Sequence, residues 1–566
     1  MRAPMLPDGD HGPWNPGVES QTPSELRQRA TIFRPEHVFT SLAAAAELQG
    51  LTGFTLSELV AFRPQRLALH ELLVRITADF AVPDGTRIED LGLNFRQIAR
   101  LLLSRHLEPA MDSIVEVYRL SREEAEDVIG SALARLGRNW GPEQIAEFER
   151  LAAASPGSAA GSGYRSLARV MSALFATHGA AWGTKDLIAS MAANLAANDF
   201  GGERIGRAIT PMLQTAARQH GYKLLPRQEH PVVINTKGAS ASGKSTLRPL
   251  QKKLAGEIGV DWSDFAIISP DIWRKQLLDY ASLGAAYKYA GAFTSDEVQI
   301  VDQKLDRYMA GKNLRGDMSH LLIDRFRFDS FAPDSNEAGS NLLTRFGQTV
   351  YLFFMITPPE LLVERAWKRG LEVGRYKAVD DTLAHAVEAY SGIPDVFFTW
   401  VRRADKRIRF EFLDNTVRLG ERPRTVVFGD NECFNILDVK CALDVERYAR
   451  INVDAVAAEY LYPDPRSLLP EKNLNFLQRC VQSFHWVNFA DQASGRVYLR
   501  MERGKPIRKD SEALRAAVLQ PDTRAVIQSV APAALLGALP DSERAEFLAP
   551  QSGGGPPTLG QWGPLA

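Results

Sequence analysis

The sequence predicts an α/β domain, a parallel sheet with helices on both faces, flanked by a mainly α-helical N-terminal region and a mixed, mainly helical C-terminal region. Three observations carry that expectation. From Pro231 onward, short continuous apolar runs alternate with longer runs of helical period, the pattern of parallel strands covered on both faces. Before that point apolar residues recur at helical spacing, as in LALHELLVRITADF and EEAEDVIGSALARLG. Finally, the junction between the first β-rich run and the helix after it is crowded with glycine, serine and one lysine.

Along the chain, residues 1–23 are rich in Pro and Gly and are expected to be disordered, and 24–150 form a helical domain. Residues 151–163, small and rich in Gly and Ser, read as a linker, and helical patterning returns over 164–228. The α/β domain spans 229–450, with strands expected at VVINT (232–236), FAIIS (265–269), HLLID (320–324), VYLFFMIT (350–357) and IRFEFL (408–413). Residues 451–550 mix helical patterns with one hairpin around GRVYLRMERGKPI, and 551–566 read as a disordered tail.

Composition excludes several classes. The 566 residues are 45% apolar and 24% charged, ordinary for a soluble chain of two to four domains. With 67 basic against 68 acidic residues, no global field draws the protein to nucleic acid or an anionic membrane. Cys433, Cys441 and Cys480 form no CxxC pair, which fits a reducing compartment. No apolar run approaches the roughly 18 residues of a membrane span, so the expected location is the cytoplasm. Neither H-E-x-x-H nor G-x-S-x-G occurs, which leaves zinc hydrolysis and serine acyl transfer without local support.

The crowded junction satisfies G-x-x-x-x-G-K-[ST]: Gly238, Ala239, Ser240, Ala241, Ser242, Gly243, Lys244, Ser245 and Thr246. Glycines let the backbone turn sharply and approach a ligand, so that successive N–H groups converge on phosphate oxygens. A helix beginning near Lys244 adds unpaired N–H groups and the positive end of its dipole. Lys244 then reaches the β- and γ-phosphates of ATP, and the Ser245 hydroxyl binds Mg²⁺. Asp271 and Arg274 follow the second expected strand, one helical turn apart. An acid at the carboxyl end of a strand beside such a loop can accept a proton from an attacking hydroxyl, with Arg274 holding acceptor or phosphate. Asp271 reads equally as a helix cap.

A glycine-rich phosphate loop, a strand and then D-x-x-[RK] opening a helix resembles the zeta-toxin-like P-loop kinase family, and equally the kinase domains of polynucleotide 5′-hydroxyl kinases. The resemblance covers residues 229–450 and implies an α/β P-loop kinase domain in which Asp271 is the general base and Arg274 helps hold the acceptor or phosphates. Zeta toxins carry a Glu-Gly-Thr sequence near the third strand for a sugar-nucleotide acceptor; here Asp324 and Arg325 stand there instead. Asp324, at the end of HLLID, reads as a second Mg²⁺ site residue or as the cap of a turn. In PPELLVERAWKRGLEVGRYKAVDD, Arg365, Lys368 and Arg369 share one helix face, and Arg375 and Lys377 follow a glycine. Zeta toxins place two lid arginines in a similar stretch, so Arg365 and Arg375 are the candidates to offset charge on the transferred group, a solvated basic face being the alternative.

The sequence therefore predicts an ATP- and Mg²⁺-dependent phosphotransferase acting on a hydroxyl of a small molecule. A polynucleotide 5′-hydroxyl kinase is the second reading. A nucleotide-dependent switch or scaffold, its helical flanks binding a protein partner, is a third of another class.

Overall fold

The computed structural model describes residues 11–17, 22–137, 140–325, 342–373, 376–418, 420–537, 539–548 and 558–564. They divide into two compact units: Met1–Gln21, Leu225–Ser269 and Met309–Ala566 make the first, Thr22–Leu224 and Pro270–Tyr308 the second.

The first unit is built on a 10-stranded sheet. Its strands are β1 (Val232–Lys237), β2 (Phe265–Ile268), β3 (His320–Ile323), β4 (Thr349–Ile356), β5 (Arg407–Asp414), β6 (Arg424–Asp430), β7 (Cys433–Ile436), β8 (Trp486–Ala490), β9 (Val497–Glu502) and β10 (Lys505–Lys509). The order is β10-β9-β8-β7-β6-β5-β4-β1-β3-β2. From β2 to β5 every pairing is parallel, with β1 between β3 and β4. These are the five expected strands, and their continuous apolar character follows from burial on both faces: in β4 every residue after Thr349 is buried.

Beyond β5 the sheet turns mixed. β6 and β7 pair antiparallel, β8 pairs parallel to β7, and β9 and β10 form the expected hairpin. Residues 451–550, expected as a region apart from 229–450, thus contribute three strands to the same sheet. An aromatic core explains the continuity. Phe397, on the helix Val379–Val401, meets Phe410 of β5 at 4.9 Å, Phe412 at 5.4 Å, Phe434 of β7 at 6.1 Å and Phe476 of the helix Asn475–Ser483 at 5.7 Å. Edge-to-face rings at these separations add attraction beyond burial alone.

The expected tail is also ordered in part. Residues 558–564 pack on the sheet: Thr558 and Leu559 are buried, Trp562 stacks on Phe428 of β6 at 4.9 Å, and Gln561 bridges Arg424. Composition suggested disorder because the segment is rich in Gly and Pro; hydrogen bonds to the sheet hold it nonetheless. At the other end, Gly12 and Asn15 exchange two backbone hydrogen bonds in a tight turn inside the expected disordered 1–23.

The second unit is helical, and among its described residues the only β pairings are isolated bridges, Val38 with Phe62 and Phe80 with Leu224. The expected linker 151–163 is here the end of the helix Pro142–Ala154, a short turn and the start of the helix Ala159–His178. Its small residues permit close packing rather than slack: a Cβ on Gly161 would lie 1.9 Å from the Ser155 carbonyl oxygen, and one on Gly163 3.1 Å from Val128. Residues 270–308, expected in the α/β domain, belong to this unit and are held by buried polar contacts. Trp273 donates to Thr77 at 3.1 Å, and Glu297 accepts from Arg66 at 2.6 Å and lies 2.6 Å from His70 Nε2. Burial alone would raise the Glu297 carboxyl; Arg66 and His70 overcome it and hold the group well below the usual carboxylate range. No helix among the described residues is long and apolar enough to cross a membrane.

One buried acid in the first unit makes stability depend on pH. Burial pushes Glu411 of β5 up to about 7, against the hydrogen bonds it accepts from Thr425, Leu559 and Gly560. An unfolded chain loses this proton near 4.5, so the stabilisation present below that pH is lost as pH rises toward 7. The expected outcome is that the wild type weakens relative to Glu411→Gln by about 1 kcal/mol per pH unit between about 5 and 7. Urea unfolding of both proteins at several pH values reads this directly, and parallel pH curves would refute it.

Candidate functional site

The glycine-rich loop leaves the carboxyl end of β1, which has parallel neighbours on both sides. Tight contacts decide its path. A Cβ on Gly238 would lie 2.7 Å from Cβ of Met355 and 2.7 Å from Oγ of Ser242, and Gly243 has φ of 93°. Ala241 also lies in the left-handed region, at φ 64°, which costs roughly 1 kcal/mol for a residue with a Cβ. Such strain persists only where surrounding bonds fix the backbone, and here they do.

Those bonds take up the loop's carbonyls. Ser242 O accepts from Asn415 Nδ2 at 2.7 Å and Thr357 Oγ1 at 3.3 Å, and Gly243 O accepts from Thr246 Oγ1 at 2.6 Å. Lys244 Nζ donates to the carbonyls of Gly238 and Ala239, both at 2.9 Å, so its ammonium lies over the start of the loop. Thr357 is held in turn by Tyr390, whose hydroxyl accepts from Thr357 N and donates to Thr357 O, both at 2.7 Å. The expected helix near Lys244 opens as a 3₁₀ turn, Lys244–Leu247, before the α-helix Arg248–Glu257.

Ser245 and Asp324, far apart in sequence, meet: Ser245 Oγ donates to Asp324 Oδ2 at 3.1 Å. Asp324 sits just past the end of β3, its N–H bonded to Ile268 O of β2 at 2.9 Å. A hydroxyl and one carboxylate are hard oxygen donors, the set that suits Mg²⁺ shared with phosphate and water. Among the described residues no group of three or more His, Cys, Asp or Glu side chains could hold a metal ion, so a closed all-protein cage has no support.

The other predicted residues are placed as follows. Asp271 and Arg274 belong to the second unit, where Arg274 Nε lies 2.9 Å from Asp271 Oδ1 and its Nη1 donates to Gly291 O at 2.7 Å and Thr294 Oγ1 at 2.8 Å. The Asp271 side chain is about half exposed and Arg274 is mostly buried. Arg365, on the helix Pro359–Val373, donates to the carbonyls of Asn415 at 2.7 Å and Val417 at 3.1 Å, clasping the turn after β5. Arg375 lies outside the described residues.

Two features were not read from the sequence. Asn415 as a strut of the loop has no local signal, because its partner is 173 residues away. A second is the trio Lys377, Asp381 and His385 at the start of the helix Val379–Val401. The Lys377 ammonium meets His385 Nδ1 and lies 3.4 Å from Asp381, which is also 3.4 Å from His385 Nε2. The i, i+4 spacing of Asp381 and His385 was legible; the approach of Lys377 was not. Burial, then the positive charges of Lys377 and Lys244, push the imidazole down to about 4 against the pull of Asp381. The trio therefore lies within electrostatic reach of Lys244.

No family model matches the chain, and no curated protein matches it. Among solved structures, a chain from the PezAT chromosomal toxin–antitoxin system of the human pathogen Streptococcus pneumoniae is similar at 21% identity, over 36% of this chain and 74% of that chain, with a TM-score of 0.22. A likeness of that size carries no argument about this chain.

Replacing Lys377 with Met is expected to move the His385 titration from about 4 toward its ordinary value of 6.5, followed by NMR of the imidazole protons. An unmoved midpoint would mean that the Lys377 charge does not act on His385.

Proposed function

We propose that the protein is an ATP- and Mg²⁺-dependent phosphotransferase that moves the γ-phosphate of ATP to a hydroxyl of a small molecule. The observation that carries this reading is the contact of Ser245 with Asp324 at 3.1 Å directly beside the strained, glycine-rich loop and Lys244. An anion-binding loop, a cation and a hard-oxygen metal pair gathered at the carboxyl ends of parallel strands suit phosphoryl transfer.

In the proposed reaction, N–H groups of 238–246 and the Lys244 ammonium bind the triphosphate. Lys244 exchanges its two backbone carbonyl partners for phosphate oxygens. Ser245 and Asp324 would hold Mg²⁺, which supplies charge neutralisation across the β- and γ-phosphates. Asp271, three residues along the chain from Ile268 at the end of β2, is proposed as general base on its sequence position, with Arg274 holding it through their ion pair. The acceptor oxygen bonds to the γ-phosphorus, the bond to the β,γ-bridging oxygen breaks, ADP leaves, and the hydroxyl proton passes to Asp271. Arg375, carried from the resemblance, is proposed as the lid cation, with Lys377 two residues along the chain. Arg365 is assigned to holding the turn after β5 rather than to the phosphates.

The test is incubation with γ-labelled ATP and fractionated metabolite and RNA extracts, followed by identification of the labelled species. Label is expected in a small molecule and lost on chelating Mg²⁺; label at RNA 5′ ends would instead select the polynucleotide reading. Lys244→Ala should lower kcat/KM by on the order of 10²–10³, and Asp271→Asn should lower kcat by roughly 10²–10⁴ while ATP still binds. Full transfer by Asp271→Asn with loss in Lys244→Ala would overturn the base assignment, and ATP binding with no labelled acceptor in any fraction would favour the nucleotide switch.

A further inference from the structure

Residues 558–564 have no part in the proposed chemistry, yet their contacts with the sheet are specific. The N–H groups of Leu559 and Gly560 donate to Glu411 at 2.7 and 2.9 Å, and Thr425 Oγ1 donates to the same carboxyl at 2.7 Å. Arg422 donates to the carbonyls of Leu559 at 2.6 Å and Thr558 at 3.0 Å. Gln561 grips the backbone on both sides of Arg424: its N–H donates to Pro423 O at 2.8 Å and its carbonyl accepts from Thr425 N at 3.1 Å. Gly563 N–H donates to Gln492 O at 2.8 Å, and the Trp562 indole donates to Thr558 at 3.1 Å while stacking on Phe428. Gly560 passes so close that a Cβ would lie 2.6 Å from Thr425 Oγ1 and 2.7 Å from Thr425 N.

From the pinned backbone at Arg424 a chain of polar contacts runs to the glycine-rich loop. The Arg424 guanidinium pairs with Asp414, Nε at 3.0 Å. Asp414 accepts from Thr416 N at 2.9 Å and Thr416 Oγ1 at 3.1 Å, which shapes the turn carrying Asn415. Asn415 then donates to Ser242 O inside the loop at 2.7 Å. Seven residues tied to the sheet by hydrogen bonds, one isolated bridge and one stacked indole, outside the strand ladder itself, can open locally while that ladder stays intact.

We propose that segment 558–564 is a docked strap that positions the glycine-rich loop through Arg424, Asp414 and Asn415. Its consequence for nucleotide affinity rests on the phosphotransferase reading; its mechanics do not. With the strap docked, the Arg424–Asp414 pair is held and Asn415 keeps Ser242 in its strained turn. With the strap released, Arg424 loses its backbone clamp and the loop loses definition.

Hydrogen exchange of the full, nucleotide-free chain tests this with Gly560→Ala, which blocks the close approach, and Trp562→Ala, which removes the stacked anchor. Both are expected to speed exchange about tenfold or more at 558–564 and also at 238–246, with β8 and β9 unchanged. In an Asn415→Ala background, Gly560→Ala should add nothing further at 238–246, since the last link is already cut. ATP titration of the same variants should show a several-fold weaker Kd, with kcat at saturation little changed. Exchange that rises at the strap but not at the loop, or evenly over all strands, overturns the proposal. Absence of ATP binding by the wild type would sink the phosphotransferase reading, and the exchange comparison would still decide the strap.

Discussion

A backbone loop offers its N–H groups to an anion when its carbonyls point elsewhere, since a carbonyl aimed into the same space repels negative charge. That constraint organises the first unit around residues 238–246. Ser242 O is taken by Asn415 and Thr357, Gly243 O by Thr246, and the carbonyls of Gly238 and Ala239 by Lys244. The four partners come from three places: Asn415 from the turn after β5, Thr357 from the end of β4, and Lys244 and Thr246 from the 3₁₀ turn that closes the loop. The left-handed backbone at Ala241 is affordable because these contacts leave it no easier alternative.

The same constraint explains why β1 lies inside the parallel half of the sheet. With β3 on one side and β4 on the other, the carboxyl ends of three strands bring Ser245, Asp324 and Thr357 to one edge. The mixed half serves the site at one remove. β6 carries Arg424, which braces Asp414 beside Asn415, and the aromatic cluster around Phe397 ties β5 to β7 beneath it. Glu411, fully enclosed on β5, joins the strap to that half by accepting two consecutive backbone N–H groups.

Electrostatics separates the site's cations by task. Lys244 lies on the loop itself, and Lys377 lies with Asp381 and His385 at the head of the helix Val379–Val401. Arg365, whose sequence position suggested the same duty, is spent on the carbonyls of Asn415 and Val417. A guanidinium with several donors in a plane suits such bridging of two carbonyls, whereas an ammonium acts as a point charge.

The sequence by itself determined the local matters: the five parallel strands, the helical character of 24–150 and 164–224, and the glycine-rich loop. These are legible because continuous apolar runs, helical period and glycine spacing act over a few residues. Only the tertiary structure decided what depends on distant partners. β7 and the helix Asn475–Ser483 are tied to β5 by aromatic rings from separate segments, and the small residues of 151–163 pack as helix ends because their neighbours approach closely. The glycine-rich stretch near the end showed no apolar pattern, so its docking onto Glu411 and Arg424 could come only from hydrogen bonds formed once β5 and β6 stand side by side. Local pattern records which face a residue buries; which partner it meets there is set by chain segments that no short window of sequence contains.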